Sequence, residues 1–264
     1  MFPKCSPGPV RTYRVPVSIP TPSTPPHPQR AVEFSGVCRS FGPVKALNGA
    51  TWGAAAGEVT CVLGPNGAGK STSMEIAVGL QRPDAGTVRV LSVDPWRSSP
   101  KHRARVGMML QDGGLPQSAR PVALIGHLSH FYADPWPVDD LCALLGINDF
   151  AGTAVRRLSG GQRKRLALAA ALVGIPDVVF LDEPTAGLDP QASRVTHEIV
   201  RGVAARGAAV VLSTHTFTEA ERLADHVVIV AHGQVVAQGG VEDICAGSSL
   251  EDRYFALTDG DAHA

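Results

Sequence analysis

From Ala31 onward the chain switches repeatedly between two hydrophobic periods. Alternating stretches and short apolar runs bounded by turn residues predict strands over Ala31–Val37, Glu58–Leu63, Thr87–Leu91, Val106–Leu110, Asp177–Leu181 and Ala208–Ser213. Segments with helical spacing fall between them, at Lys70–Leu80, Gly160–Val173, Pro190–Arg206 and Thr216–Ala224. Pro83-Asp84-Ala85-Gly86 reads as a turn, and Val227–Ala231 with Gln234–Ala237 as a hairpin turning at His232-Gly233. Strands and helices alternating in this way predict an α/β fold with a mostly parallel sheet and helices on both faces. Residues 112–157 break the rhythm with helical patches at Val122–Phe131 and Val138–Leu145 separated by Pro and Gly. They predict an inserted helical subdomain, which the start of the Gly160 helix extends to about residue 170. No internal repeat is visible, so the unit occurs once.

The first 30 residues have a different texture. The run Pro20-Thr21-Pro22-Ser23-Thr24-Pro25-Pro26-His27-Pro28 removes amide donors and fixes φ, which excludes helix and sheet. A disordered or polyproline-like tail is expected, with a docking peptide for a proline-binding domain as the functional alternative. Met1-Phe2-Pro3-Lys4 lacks the apolar core of a secretory signal. The longest apolar candidate, Ala171–Leu181, is broken by Gly174, Pro176 and Asp177, whereas a membrane span needs about 20 apolar residues. Any work on a membrane is therefore expected to go through a partner.

Composition narrows the classes further. Twenty-four basic and 24 acidic residues cancel, so no global field draws the chain to nucleic acid or anionic lipid. Cys5, Cys38, Cys61, Cys142 and Cys245 are odd in number and never spaced as CxxC, which predicts free thiols rather than zinc ligands or a disulfide framework.

Two motifs carry chemistry. Gly64-Pro65-Asn66-Gly67-Ala68-Gly69-Lys70-Ser71-Thr72 fits GxxxxGK[ST] between a predicted strand and a predicted helix. Such a loop wraps phosphate oxygens with inward amides, so side chains at Gly67 and Gly69 would block the approach. The following helix aims its positive end at the same charge. Lys70 supplies the point charge for the β- and γ-phosphates of ATP, and the Ser71 hydroxyl is a ligand for Mg²⁺. Further on, the apolar run Val178-Val179-Phe180-Leu181 ends in Asp182 and Glu183. In a parallel sheet these lie at the carboxyl edge with the phosphate loop. Asp182 is then placed to hold Mg²⁺ through its water shell, and Glu183 to polarise the attacking water.

Between the two motifs stands Leu158-Ser159-Gly160-Gly161-Gln162, which matches the signature of ABC ATPases letter for letter. The chain resembles that family from about Ala31 to its end. Gln111 resembles the family's Q-loop glutamine, Ala186-Gly187-Leu188-Asp189 its D-loop, and Ser213-Thr214-His215 its switch histidine. Phe41 sits where the family stacks an aromatic ring on adenine. The resemblance implies a P-loop NTPase ABC-ATPase fold with a mostly parallel core sheet, an antiparallel β part and an inserted helical subdomain.

It also implies roles. Ser159 and the amides of Gly160 and Gly161, at a helix N-terminus, would meet the γ-phosphate held by a second protomer. His215 would hold the water in line with Glu183; read without the family, it is a core histidine at a strand end. Gln111 would touch the metal, sense γ-phosphate and couple to a separate transmembrane permease, whose contact surface is implied in residues 112–157. The basic run Arg156, Arg157, Arg163, Lys164 and Arg165 reads as a solvated or subunit-facing helix surface, with nucleic acid as the alternative. The segment from Ser249 to Leu257 resembles the closing part of ATPase subunits of the bacterial drug- and polysaccharide-export branch. The expectation is an ATP-hydrolysing export motor, peripheral on the cytoplasmic face of the cell membrane. An importer ATPase and a soluble ABC ATPase acting on nucleic acid or ribosomes are the alternatives. A small-molecule kinase would leave the signature and His215 without a role.

Overall fold

The computed structural model describes residues 30–111 and 114–258. The proline-rich segment and Cys5 lie outside them; the other four cysteines are free thiols. The chain starts with two long strands, β1 (Arg30–Phe41) and β2 (Val44–Ala55), followed by β3 (Val59–Leu63) and helix α1 (Lys70–Ala77). Next come β4 (Ala85–Val90), the short α2 (Pro100–Arg103), β5 (Val106–Met109), α3 (Pro121–Ser129), α4 (Val138–Leu144) and α5 (Gly160–Leu172). The remainder is β6 (Val178–Asp182), α6 (Pro190–Ala204), β7 (Ala209–Thr214), α7 (Phe217–Leu223), β8 (His226–Ala231), β9 (Gln234–Gly240), α8 (Val241–Cys245) and α9 (Leu250–Thr258).

Two sheets form. A six-stranded sheet runs in the order β5-β6-β7-β3-β8-β9; its first five strands are parallel and β9 closes it as an antiparallel hairpin with β8. A three-stranded antiparallel sheet, β2-β1-β4, lies apart from it. Strands β3, β6 and β7 are mostly apolar and buried at every position, as strands covered on both faces must be, with Thr60, Asp182, Ser213 and Thr214 as their polar positions. Their alternate side chains enter two cores. Val62, Val178, Phe180 and Val211 meet the antiparallel sheet and α1 through Phe34, Trp52, Met74 and Ile76. On the other face Cys61, Leu63, Val179 and Leu181 belong to a core with Ile199, Val200 and Val203 of α6 and Leu223 of α7. That same core continues through Leu166 and Leu172 of α5 into Leu124, Ile125, Leu141 and Leu145, which join α3 and α4.

Strand β2 is the element that the apolar pattern did not predict. Its apolar contacts come from Ala46, Leu47, Ala50, Trp52 and Ala54, and the ladder to β1 slips between Phe34 and Arg39. An Ala- and Gly-rich strand with a register shift has no clean two-residue period. Trp52 nevertheless stacks on Phe34 with ring centroids 4.4 Å apart. The apolar pattern likewise does not mark helix α9. Leu250 is fully buried beneath it, its amide donates to Glu221 Oε1 at 2.7 Å, and Tyr254 packs on Phe217.

Candidate active site

The site is built at the carboxyl ends of four neighbouring parallel strands. Leu63 pairs with Thr214, Asp182 with Ser213, and Met109 with Leu181. That register brings level the phosphate loop after β3, the two carboxylates at the end of β6, His215 after β7 and Gln111 after β5. Residues separated by more than a hundred positions in sequence thus meet at one edge, where open α/β sheets bind their ligands.

Gly64, Ala68 and Gly69 of the loop are buried, whereas Pro65, Asn66 and Gly67 face outward, and Ser71 and Thr72 are half-buried on α1. The glycines differ in what they do. Gly69 has φ 100°, and a Cβ there would lie 2.2 Å from the Ala46 carbonyl oxygen. Gly67 has φ 82°, and a Cβ there would point into open space. Only Gly67 therefore fits the expectation of a position kept clear for a ligand; Gly69 is required by the fold itself, because β2 passes directly beneath it. Lys70 is buried and its Nζ donates to the carbonyls of Gly64 at 2.8 Å and Pro65 at 3.0 Å. Burial holds its pKa below the usual lysine value, while the Glu183 and Asp182 carboxylates pull it back up.

Glu183 is the hub. Its carboxylate Oε1 lies 2.9 Å from His215 Nδ1, and Oε2 accepts from Gln111 Nε2 at 3.2 Å. Its backbone is left-handed at φ 48°, an uncommon conformation for a residue with a Cβ. Two contacts secure that turn: the Glu183 amide donates to Ser213 Oγ at 3.0 Å, and the Glu183 carbonyl accepts from Lys164 Nζ at 2.5 Å. Ser213 Oγ in turn donates to Asp182 Oδ1. The His215 side chain is half exposed, which excludes the core-histidine alternative.

The remaining sequence candidates make their contacts outside this centre. Ser159 opens α5 with a capping box: its Oγ accepts from the Gln162 amide at 3.2 Å, and Gln162 Oε1 accepts from the Ser159 amide at 2.9 Å. Ser159 and Gly160 are exposed and Gly161 half-buried, so the amide end of α5 faces outward. Asp189 caps α6 by accepting from the Ala192 amide at 2.9 Å. Phe41, at the end of β1, is 44% exposed, with the Arg39 guanidinium 4.8 Å over its ring.

Two of the five residues of the basic run read as a solvated or subunit-facing surface, Lys164 and Arg165, are half-buried, whereas Arg156, Arg157 and Arg163 are exposed. Lys164 holds the Glu183 carbonyl, Arg163 donates to the Leu158 carbonyl, and Arg165 donates to the Leu145 carbonyl while stacking on Phe150. Loop and helix-end carbonyls left without backbone partners require such donors. Charge patterning alone gave no sign of this. Nor did the sequence mark Glu219, whose partners are described below.

The donors available for a metal are the Ser71 hydroxyl, the Asp182 carboxylate and the Gln111 amide oxygen, an all-oxygen set that suits Mg²⁺. Among the described residues no three acidic, His or Cys side chains cluster closely enough to form a cage. Mg²⁺ characteristically takes one or two carboxylates and completes its shell with water and phosphate, so these residues fit it.

Loop, sheet edge and carboxylate pair together define a P-loop nucleotide hydrolase. The family description "ABC transporter" matches residues 47–186. A relative called Nod factor export ATP-binding protein I, from Paraburkholderia xenovorans (strain LB400), is 37% identical over 224 residues, spanning 83% of this chain and 74% of its own. The daunorubicin/doxorubicin resistance ATP-binding protein DrrA of Streptomyces peucetius is 34% identical over 242 residues, 90% of this chain and 73% of its own. A solved ATP-binding subunit of an ABC transporter superposes with a TM-score of 0.79 at 25% identity, over 86% of this chain and 99% of that one. The chain belongs to the ABC transporter family, as an ATP-binding, ATP-hydrolysing subunit. Among the described residues, no helix is long and apolar enough to cross a membrane.

Proposed function

We propose that this protein hydrolyses Mg-ATP with Glu183 as the base and so powers export through a separate membrane-spanning partner. The observation that carries the chemistry is the Glu183 carboxylate, shared between His215 and Gln111 at the sheet edge that also holds Lys70. The water oxygen bonds to the γ-phosphorus as the bond to the bridging oxygen breaks, leaving ADP and inorganic phosphate. The proton leaves the water for Glu183. His215 fixes one carboxylate oxygen, so the other face of the pair is aligned toward the water. Lys70 exchanges its carbonyl partners for phosphate oxygens when ATP enters, and backbone amides of the glycine loop cradle them. Ser71, Gln111 and, through its water shell, Asp182 would hold Mg²⁺, which when bound would neutralise phosphate charge.

Phe41 is read as the adenine contact. Ser159, Gly160, Gly161 and Gln162, with Asp189, are read as the surface that meets nucleotide on a second ATPase protomer; the outward-facing amide end of α5 supports this. The named relatives are an export protein and a drug-resistance protein, which favours export over import. Residues of about 112–157, which follow Gln111 in sequence, are the surface read as meeting the permease, and that role would put the protein at the inner face of the membrane.

The solution mass of Glu183→Gln, measured with and without Mg-ATP, tests the reading. A doubling of mass on ATP addition, with turnover reduced by orders of magnitude, is the expected result. Full turnover would remove Glu183 as the base.

A further inference from the structure

Behind the Glu183–His215 pair lies a second carboxylate that the hydrolytic chemistry does not use. Glu219, on α7, is 8% exposed. Its Oε2 accepts from the Thr214 hydroxyl at 2.6 Å, and its Oε1 accepts from the Thr185 hydroxyl and from His197 Nε2 at 3.2 Å. Three donors take up most of the about four acceptor sites of one carboxylate, and no other buried acid in the described residues collects as many side chains.

The donors come from the segments that the site depends on. Thr214 immediately precedes His215, and the same hydroxyl accepts from the Thr216 amide at 3.0 Å, so both flanks of His215 are tied to Glu219 through one oxygen. Thr185 stands two residues after Glu183, and His197 lies on α6, the helix that Asp189 caps. Glu183 itself is left-handed, so its direction depends on how the chain leaves it at Thr185. Among the described residues the buried His197 Nδ1 has no partner, and the bond to Glu219 is the one polar anchor of that ring found there.

We propose that Glu219 is a positioning residue: it locks the segment after Glu183 and the loop around His215 into one register, so that the two side chains meet. The lock acts through Thr185 and Thr214 and never touches nucleotide. This inference rests on the reading of Glu183 and His215 as the working pair. It adds that their 2.9 Å contact is held from behind, by one acid on α7.

Glu219→Gln in the full chain keeps the volume but turns an NH₂ toward donors that need an acceptor. The expected result is unchanged ATP affinity, measured by direct titration, with kcat lowered about ten- to a hundredfold, the scale of a small misplacement of catalytic groups. The His215 ring signals in ¹H–¹⁵N NMR of the nucleotide-free protein are expected to move in the same variant. Should Glu219→Gln fail to fold, Thr214→Val and Thr185→Val each remove one arm, and Thr214→Ser and Thr185→Ser restore the hydroxyl and are expected to restore kcat. A folded Glu219→Gln with native kcat and unmoved His215 signals would overturn the proposal. So would Thr→Val variants that lose ATP binding and turnover in parallel. Glu183→Gln, assayed alongside, separates the two levels: full turnover there removes the base assignment, whereas the His215 signals test the lock in either case.

Discussion

Lys164, on the helix opened by the signature run, places its ammonium 2.5 Å from the backbone carbonyl of Glu183. A left-handed glutamate at the end of a buried strand needs outside support, and this contact joins α5 to it. Helix α5 is also packed against β5 and β6, so a shift of the helix is felt at the carboxylate directly.

Replacing Lys164 with Met keeps the aliphatic stem and removes the donor. Stability is expected to fall by about 1.5–3 kcal/mol, the range for a hydrogen bond to a charged group, and ATP turnover to fall several-fold with ATP affinity retained. Urea denaturation and a steady-state assay check this; native turnover in the variant would show that the contact does not hold Glu183.

The two loop glycines are expected to separate fold from ligand. Gly69→Ala places a methyl 2.2 Å from the Ala46 oxygen in a left-handed backbone, so the melting temperature drops sharply. Gly67→Ala meets nothing nearby and carries only the left-handed strain of about 1–2 kcal/mol, while its methyl stands where phosphate must approach. Thermal melts and nucleotide titrations of the two variants should rank in opposite orders. An identical ranking would return both glycines to a single role.

His226, at the start of β8, provides a pH signature. Burial pushes its imidazole pKa below the usual histidine value, with Glu58 opposing and Arg30 adding to the shift. As pH falls below about 6.5 the unfolded chain takes up this proton before the folded one, so stability declines with acid through that window. Denaturation at pH 7 and pH 5 should show a smaller loss for His226→Asn than for the natural chain. Equal losses would mean that His226 does not contribute to the slope.

The last helix is expected to behave as core at one end and as surface at the other. Leu250→Ala opens a cavity under α9 and should destabilise by about 2–5 kcal/mol. Phe255→Ala, at a position 46% exposed, should change stability by much less, within about 1 kcal/mol. Chemical denaturation of both variants decides the matter, and comparable losses would mean that α9 docks differently.

Much of this architecture was readable because the physics is local. The buried parallel strands around Val62, Phe180 and Val211 are continuous apolar runs, and the loop at Gly64–Lys70 and the acids at Asp182 and Glu183 punctuate them. Strand β2 was not readable, because its small residues and shifted register erase the alternation that marks a strand. The contacts of Lys164 and Glu219 were hidden for another reason. A charged residue on a helix gives the same local pattern whether it faces water or reaches a carbonyl or hydroxyl more than 15 residues away. The distinct duties of Gly67 and Gly69 likewise depend on Ala46 lying under the loop, a neighbour brought there only by the tertiary fold.

The register of Leu63 with Thr214 also sets an order of events in the cell. At ordinary translation rates of 5–20 residues per second, the strand that carries the phosphate loop waits about 8–30 s for its β7 neighbour. Strand β6, next to β7, and β8, on the other flank of β3, also arrive late in synthesis. During that interval the apolar edges of β3 have no sheet partner, and the nascent chain is exposed to mispairing. Nucleotide binding is therefore among the last properties that the growing polypeptide acquires, although its glycine loop is made in the first third.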